Sequence, residues 1–178
     1  MKKLFTFFLI NLISLATLGE QNAEKEDLQK QEDSMLYFRD GKSIVSYENY
    51  SQSSIVNSLG YLTYSGNFIY GAEFTSNYIK DSQLRFFHYQ GVLGYRHLWT
   101  KKFLPYVLVM TGYSSFKEES KNLTADGISK SIDLGADIYK NWRIKTSLGV
   151  KTTLSNYSSQ DIKSANFTDL YVMIGFVF

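Results

Sequence analysis

The sequence contains no cysteine, a single proline and only two histidines among its 178 residues. Without cysteine there are no disulfides, thiol nucleophiles or thiolate metal sites, and two histidines alone do not favour a zinc site. The sequence also lacks an excess of either charge, because it has 19 basic and 17 acidic residues, and no polybasic run occurs. We therefore expect no cofactor, no metal and no nucleic-acid partner.

A long apolar run occurs only at the start, in MKKLFTFFLINLISLATLGE. Two lysines precede the apolar region 4–18, and Thr17 and Gly19 suit the cleavage positions, which predicts a signal peptide over 1–19. A transmembrane anchor is the alternative, but the run is short and no stop-transfer signal follows. No later segment reaches the roughly 18 apolar residues of a spanning helix. The exported chain is either soluble or crosses a membrane as strands.

The next segment, 20–34, is charged and has no aromatic residue. It predicts a solvated periplasmic segment ahead of one barrel domain over 35–178. Removing the two lysines of the signal peptide from the 19 basic residues leaves 17, against 17 acidic residues. The exported chain is thus close to neutral.

The domain is rich in tyrosine and phenylalanine, with 14 and 13 copies, and its apolar residues alternate with polar ones. This period of two indicates strands. Most segments reach the roughly 9–11 residues that a tilted strand needs to cross a bilayer, whereas strands of globular proteins average about five or six. The sequence therefore predicts an all-β fold, an eight-stranded antiparallel up-and-down transmembrane β-barrel, with strands near 42–50, 54–64, 67–79, 83–97, 104–116, 127–139, 142–155 and 166–178.

The predicted connections differ in length. Outer-membrane barrels have short periplasmic turns and longer extracellular loops. With a periplasmic N-terminus, the short connections 65–67, 98–103 and 140–141 are periplasmic, and the longer polar loops 117–126 and 156–165 are extracellular. The other two extracellular connections, near 51–53 and 80–82, are short, so the contrast is partial.

Asp40-Gly41 lies between two apolar runs and is a strong hairpin signal. A hairpin there would add a ninth strand. Bacterial barrels have an even number of strands, so we prefer one long or bulged first strand that starts near Met35.

The polar face of the strands predicts a charged interior. Strand seven puts Ile144, Leu148 and Val150 on one face and Lys145 and Lys151 on the other. Buried charges must be paired, and both signs occur on strands six and seven. We expect a plugged interior rather than a small pore, with a charge network of Glu73, Arg96, Asp133, Asp137, Arg143, Lys145 and Lys151.

Aromatic residues gather near the strand ends, as in the interfacial girdles of membrane barrels. The periplasmic girdle is predicted from Trp99, Tyr106, Tyr139 and Trp142, with Tyr64, Phe68, Phe103, Phe176 and Phe178 nearby. The opposite ends carry Tyr47, Tyr50, Tyr78, Phe86, Phe87, Phe116, Tyr157 and Phe167. The alternative, a soluble exported lipocalin-like barrel, needs neither girdle and has an apolar interior.

The stretch GVLGYRHLWTKKFLPYVLVMTGY carries Gly94-Tyr95-Arg96, Pro105-Tyr106-Val107 and Gly112-Tyr113. With the aromatic C-terminus, it resembles the small outer-membrane β-barrel family that includes the OmpA transmembrane domain, OmpX and the opacity proteins. The resemblance implies a bacterial outer-membrane location, with membrane lipid, lipopolysaccharide and the barrel-assembly machinery as partners. It also implies that Phe176 and Phe178 form the assembly signal. Functions in this family range from adhesion and surface binding to envelope integrity, through loops such as 117–126 and 156–165.

Some barrels of this size modify lipid A, which makes the two histidines candidate catalytic residues. Nucleophilic catalysis needs a base that a third group orients. His88 is followed by Tyr89-Gln90 and His97 by Leu98-Trp99, so neither forms a His-x-Ser pattern. A serine such as Ser82 or Ser129 could approach His88, but nothing in the sequence fixes such a contact. We predict no catalytic residue, with a lipid A-modifying enzyme as the alternative.

Overall fold

The computed structural model describes residues 33–97, 103–119, 123–139, 143–159 and 162–178. Neighbouring strands pair antiparallel, and β8 pairs with β1 to close a barrel. The eight-stranded all-β prediction is confirmed. No helix in the described ranges is long and apolar enough to cross a membrane. The strands are β1 (Asp33–Tyr47), β2 (Tyr50–Ser65), β3 (Phe68–Ile79), β4 (Leu84–Arg96), β5 (Phe103–Glu118), β6 (Leu123–Tyr139), β7 (Ile144–Tyr157) and β8 (Ser164–Val177).

The two ends of the barrel differ. The terminal end holds Asp33, Phe178 and the connections after β2, β4 and β6. The loop end holds the connections 48–49, 80–83, 119–122 and 158–163. The predicted signal peptide and most of the charged segment, 1–32, lie outside the described residues.

The predicted long loops are wrong in extent. β5 continues to Glu118 and β6 begins at Leu123, so most of 117–126 is paired strand. Likewise, 51–53 lies inside β2, and β8 begins at Ser164. The physical reason is that these strands extend beyond the apolar belt. Their outward residues there are polar, so the alternation that indicates a strand disappears.

β1 runs without a break through Asp40-Gly41, which confirms the single long first strand. Gly41 pairs with Val56 on β2 and with Tyr171 on β8. A Cβ on Gly41 would overlap the carbonyl oxygen of Leu170. This glycine therefore permits close approach of two backbones inside a sheet, and does not mark a turn.

The register fixes the shape of the barrel. Starting at Leu36 and following the directly paired residues through all strands leads back to β1 at Ser46, ten residues further along. A stagger of this kind requires strongly tilted strands. At eight strands, side chains alone can fill the interior.

Side chains alternate between the lumen and the outside along every strand. On β8, Tyr171 and Met173 are buried, whereas Val172, Ile174 and Phe176 are exposed. The exposed belt continues around the barrel with large apolar residues, among them Leu36, Phe38, Leu59, Leu93, Val109, Ile132, Leu134, Leu148 and Leu170. The outside of this barrel is thus apolar, and its buried core lies in the lumen.

Candidate functional site: the barrel interior

Four charged side chains meet in the middle of the lumen. Arg39 Nη2 lies 2.7 Å from Asp133 Oδ2, and Arg39 Nη1 lies 3.1 Å from Glu73 Oε2. Lys151 Nζ donates to Glu73 Oε1 at 2.7 Å and to Thr75 Oγ1 at 3.2 Å. Two cations and two carboxylates come from β1, β3, β6 and β7, so this central network is neutral and links opposite walls.

The pairing across the lumen differs from the pairing that strand order suggests. Asp133 and Lys151 are direct register partners on β6 and β7. Their ion pairs instead run across the barrel, from Asp133 to Arg39 and from Lys151 to Glu73. Side chains on facing walls of a narrow barrel are close enough to meet. The network therefore depends on the closed barrel and not on one hairpin.

Three tyrosines complete the central network. Tyr37 donates a hydrogen bond to Glu73, and Tyr171 donates to Asp133 Oδ1 at 2.5 Å. The hydroxyls of Tyr106 and Tyr171 lie 2.7 Å apart, and the Arg39 guanidinium carbon lies 3.8 Å from the centre of the Tyr171 ring. Buried carboxylates are thus supplied with donors as well as cations, as burial of charge requires.

Each of these tyrosines lies over a glycine on the adjacent strand. The directly paired residues are Tyr37 and Gly60, Tyr106 and Gly135, and Tyr171 and Gly149. A Cβ on any of the three glycines would overlap the tyrosine ring or hydroxyl. The glycines therefore allow the rings to lie flat against the wall and bring their hydroxyls to the carboxylates.

We expect Gly149→Ala to destabilise the barrel by about 1–3 kcal/mol, the usual range for overpacking. The Tyr171 ring cannot move away without losing its bonds to Asp133 and Tyr106. The matched control is Gly91→Ala, because Gly91 faces outward and its new Cβ would have only the Thr111 oxygen nearby, at 3.8 Å. The control should stay within about 0.5 kcal/mol. Denaturant unfolding of the refolded protein measures both, and equal losses would contradict this role of Gly149.

A second charged group lies toward the terminal end of the lumen. Asp137 accepts from Ser147 Oγ at 2.5 Å. Lys145 Nζ lies 3.6 Å from the centre of the Tyr64 ring, and the Arg96 guanidinium carbon lies 4.4 Å from the same centre. Arg96 Nε also donates to the carbonyl of Gly66 at 2.9 Å. Cations on a buried ring are stabilised by the ring's negative face.

A layer of neutral polar side chains lies on the loop-end side of the central network. Gln90 Nε2 donates to Ser129 at 3.0 Å and to Ser131 at 2.8 Å. His88 Nδ1 lies 3.4 Å from Ser155 Oγ, and its ring meets Phe167 edge to face at 4.8 Å. His88 is 1% exposed, so its ring is inaccessible to lipid.

An aromatic cluster fills the lumen at the loop end. The rings of Phe86 and Phe167 are 5.0 Å apart, as are those of Phe116 and Tyr157, and both pairs are edge to face. This geometry is favourable for aromatic pairs. We call the cluster the aromatic cap: Val45, Ile79, Leu84, Phe86, Phe116, Tyr157, Ile162, Ala165 and Phe167. It separates the polar lumen from the loop-end surface.

The predicted charge network divides into two groups and loses one member. The structure brings Glu73, Asp133 and Lys151 together in the centre, and Arg96, Asp137 and Lys145 toward the terminal end. Arg143 is the exception and corrects the prediction. It precedes the first residue of β7 and its side chain is exposed, because the strand that would have turned it inward begins one residue later.

The predicted girdles need a larger correction. Tyr106 and Tyr64 are both buried and face the lumen. Phe86, Phe116, Tyr157 and Phe167 were expected near the outer interface, but they form the aromatic cap. The prediction used only distance from the strand end, whereas alternation along the strand decides which way a ring points. Trp99, Trp142 and the side chain of Tyr139 lie outside the described part of the molecule.

The sequence prediction missed several interior residues. Arg39 joins both carboxylates of the central network, and Tyr37 and Tyr171 donate to them. Asp169 is buried on β8, where Asn77 Nδ2 approaches its Oδ1 at 3.4 Å. The available signal was alternation. On a first strand that starts near Met35, as predicted, Arg39 shares a face with Met35 and Tyr37.

No group of three or more histidine, aspartate or glutamate side chains suited to a metal ion is present among the described residues. The carboxylates of the central network already accept from Arg39 and Lys151. The arrangement can hold opposite walls together and fill the lumen.

Neither the known family models nor the curated proteins include a match to this sequence. Solved structures do match. Neisserial surface protein A (NspA) aligns with a TM-score of 0.74 at 8% identity, over 82% of this chain and 97% of that one. Ail, the attachment invasion locus protein of Yersinia pestis, in complex with the heparin analogue sucrose octasulfate, gives 0.57 at 12% identity, over 83% and 99%. The outer membrane enzyme PagL gives 0.52 at 12% identity, over 78% and 97%.

These alignments span nearly the whole length of each solved structure. At identities of 8% to 12%, these alignments show a shared fold and nothing more specific. The chain has the fold of the small eight-stranded outer-membrane β-barrels, which confirms that part of the resemblance seen in the sequence.

Proposed function

We propose that this protein is an integral outer-membrane β-barrel with a filled lumen, which acts without catalysis through the surface at its loop end. The observation that carries the proposal is the inversion of polarity. Leu93 and Leu170 are 69% and 67% exposed, whereas Arg39, Glu73 and Lys151 are buried. A bilayer favours this arrangement, and water disfavours it. A lipocalin-like soluble barrel would have the opposite polarity.

The two ends support an orientation. The eight strands put both termini at one end, and a chain that inserts from the periplasm keeps that end there; connection length does not distinguish the ends, since 97–102 is as long as 158–163. We therefore place the terminal end in the periplasm and the loop end outside the cell. Phe178 then lies at the periplasmic interface, where the barrel-assembly machinery reads a C-terminal aromatic residue in the family that the sequence resembles.

Heat-modifiability and conductance test the membrane location and the filled lumen separately. The purified protein should migrate differently on a gel before and after boiling, and should fractionate with the outer membrane. In planar bilayers it should give no stable large conductance, because the central network and the aromatic cap block the lumen. A soluble periplasmic protein with no gel shift would contradict the membrane location. Stable large channels would contradict the filled lumen alone.

The case against catalysis rests on the positions of the two histidines. His88 faces the lumen under the aromatic cap, and its polar contact is Ser155 at 3.4 Å. His97 is exposed at the terminal end, which the proposed orientation places away from the outer leaflet that holds lipid A. Mass spectrometry of lipid A from a deletion strain should therefore show an unchanged profile. A changed profile that His88→Ala reproduces would favour the enzyme instead.

The proposed interaction surface consists of the protruding β5–β6 and β7–β8 ends, with lipopolysaccharide and a host or surface ligand as partners. Ail was solved with a heparin analogue, but here the described charges near the tips are mixed: Lys117, Glu118, Glu119, Asp126 and Lys163. Mixed charge favours contact with proteins or lipopolysaccharide over a purely polyanionic ligand. Adhesion and envelope integrity are the two roles that such a surface supports.

This surface is tested with cells that express the protein with altered β5–β6 or β7–β8 connections, which we call the tips. Replacing 119–122 by a two-residue Asn-Gly turn should remove binding to host matrix or lipopolysaccharide while leaving the barrel assembled. The matched control replaces 66–67, a turn at the terminal end, and should leave binding unchanged. Unchanged binding after loss of both β5–β6 and β7–β8 tips would overturn the proposed surface.

A further inference from the structure

A polar island interrupts the apolar belt on the outside of β1 and β2. Asp40, Lys42 and Asn57 all face outward and are exposed. Asp40 pairs in register with Asn57 on one side and with Val172 on the other. Exposed apolar side chains lie beyond the island along both strands, toward each end of the barrel: Leu36, Phe38, Ile44, Ile55 and Leu59.

Charges on the lipid face of a membrane barrel are destabilising, by up to about 2–4 kcal/mol for a basic residue at mid-depth and less for an acidic one. A lysine reduces this penalty because its long chain can reach the interface, as Lys130 on β6 can also do. Asp40 has too short a side chain to do so. Among the described residues, no ion pair within 4.0 Å involves Asp40 or Lys42. Asp40 therefore needs a partner in the plane of the membrane.

We propose that a second copy of this chain docks on the β1–β2 face, with Lys42 of each copy pairing with Asp40 of the other. Two copies inserted in the same direction are related by a two-fold axis along the membrane normal, and the two-fold is the commonest symmetry of protein dimers. This axis preserves depth, so Lys42 of one copy lies about 7 Å or less in depth from Asp40 of the other, two residues along a strand, and a lysine side chain can reach across that step. The apolar residues around the island supply the packing surface. The inference rests on the proposed membrane location, since only lipid makes the unpaired carboxylate costly.

Disulfide cross-linking in intact outer membranes tests this contact, and the absence of native cysteine removes any background. Asn57→Cys should yield cross-linked dimers under mild oxidation. Thr111→Cys is the matched control, because Thr111 is exposed on β5, on the opposite side of the barrel, and should stay monomeric. Equal cross-linking of the two variants would overturn the proposal. So would an Asn57→Cys product that contains a different protein.

Charge reversal makes the test specific. In the Asn57→Cys background, Asp40→Lys or Lys42→Asp should each remove most of the dimer, because the docking face of both copies would then carry charge of one sign only. The double reversal should restore it. Cross-linking unaffected by the single reversals would also overturn the proposal. Heat-modifiability of every variant shows separately whether the barrel is inserted, so failure of the dimer and failure of the membrane location are distinguishable.

Discussion

Glu73→Gln is expected to lower the free energy of unfolding by about 3–5 kcal/mol, the range for removal of one partner of a buried ion pair. Glu73 accepts from Lys151 at 2.7 Å and from Tyr37, and pairs with Arg39 at 3.1 Å. Its loss leaves Lys151 with the Thr75 hydroxyl and without a carboxylate in contact. Denaturant titration of the barrel refolded in lipid vesicles measures the change.

Two further variants identify the cause. Glu48→Gln removes an exposed carboxylate from the β1–β2 connection and should change stability by less than about 0.5 kcal/mol. The double variant Glu73→Gln/Lys151→Met removes both charges and leaves the Arg39–Asp133 pair. It should be more stable than Glu73→Gln alone. A double variant as unstable as the sum of both single variants would show that the two charges do not interact.

Deletion of Phe178 is expected to abolish most assembly into the outer membrane. The residue is 74% exposed at the end of β8, and it closes the barrel through two backbone hydrogen bonds with Ser34, at 2.9 and 3.1 Å. The deletion removes both bonds and the terminal ring that we propose the assembly machinery reads. Quantification of heat-modifiable protein in outer-membrane fractions measures assembly.

The contribution of the ring is separable from that of the backbone. Phe178→Leu keeps both bonds to Ser34 and an apolar side chain, so it should refold normally in lipid vesicles but assemble poorly in cells. Phe68→Leu is the matched control, because Phe68 is also an exposed ring at the terminal end, and it should assemble normally. Normal assembly of Phe178→Leu would show that the machinery does not read the ring.

The number of strands and the direction of most side chains follow from local alternation, which is why β3, β7 and β8 were predictable. Alternation along β8 puts Val172, Ile174 and Phe176 outside, and Gly175 faces the lumen, where a Cβ would meet Met35. Alternation requires one polar and one apolar face. It is lost where β5 and β6 extend past the belt, and their ends were therefore misread as a loop.

The interior partners were less predictable, because they depend on closure. Asp133 and Lys151 looked like a pair on neighbouring strands, and they are in register. Arg39 was omitted although the preferred first strand, which starts near Met35, includes it, because no polar face was assigned along that strand. Which carboxylate meets which cation is decided by distances across the lumen, and those depend on the tilt and stagger of all strands together. The residues next to a given charge in the sequence do not determine these distances across the lumen.

The way the central network spans the lumen also bears on how the chain enters a membrane. The ion pairs join Arg39 to Asp133, 94 residues later, and Glu73 to Lys151, 78 residues later. While the sheet is still open, Asp133 has Lys151 opposite it on the next strand, so these two charges can neutralise each other early. Arg39 and Glu73, on β1 and β3, have each other at 3.1 Å across β2, so each half of the open sheet already holds one cation and one carboxylate. We therefore expect the crossed bonds, from Arg39 to Asp133 and from Lys151 to Glu73, to form together in one cooperative step when β1 and β8 join.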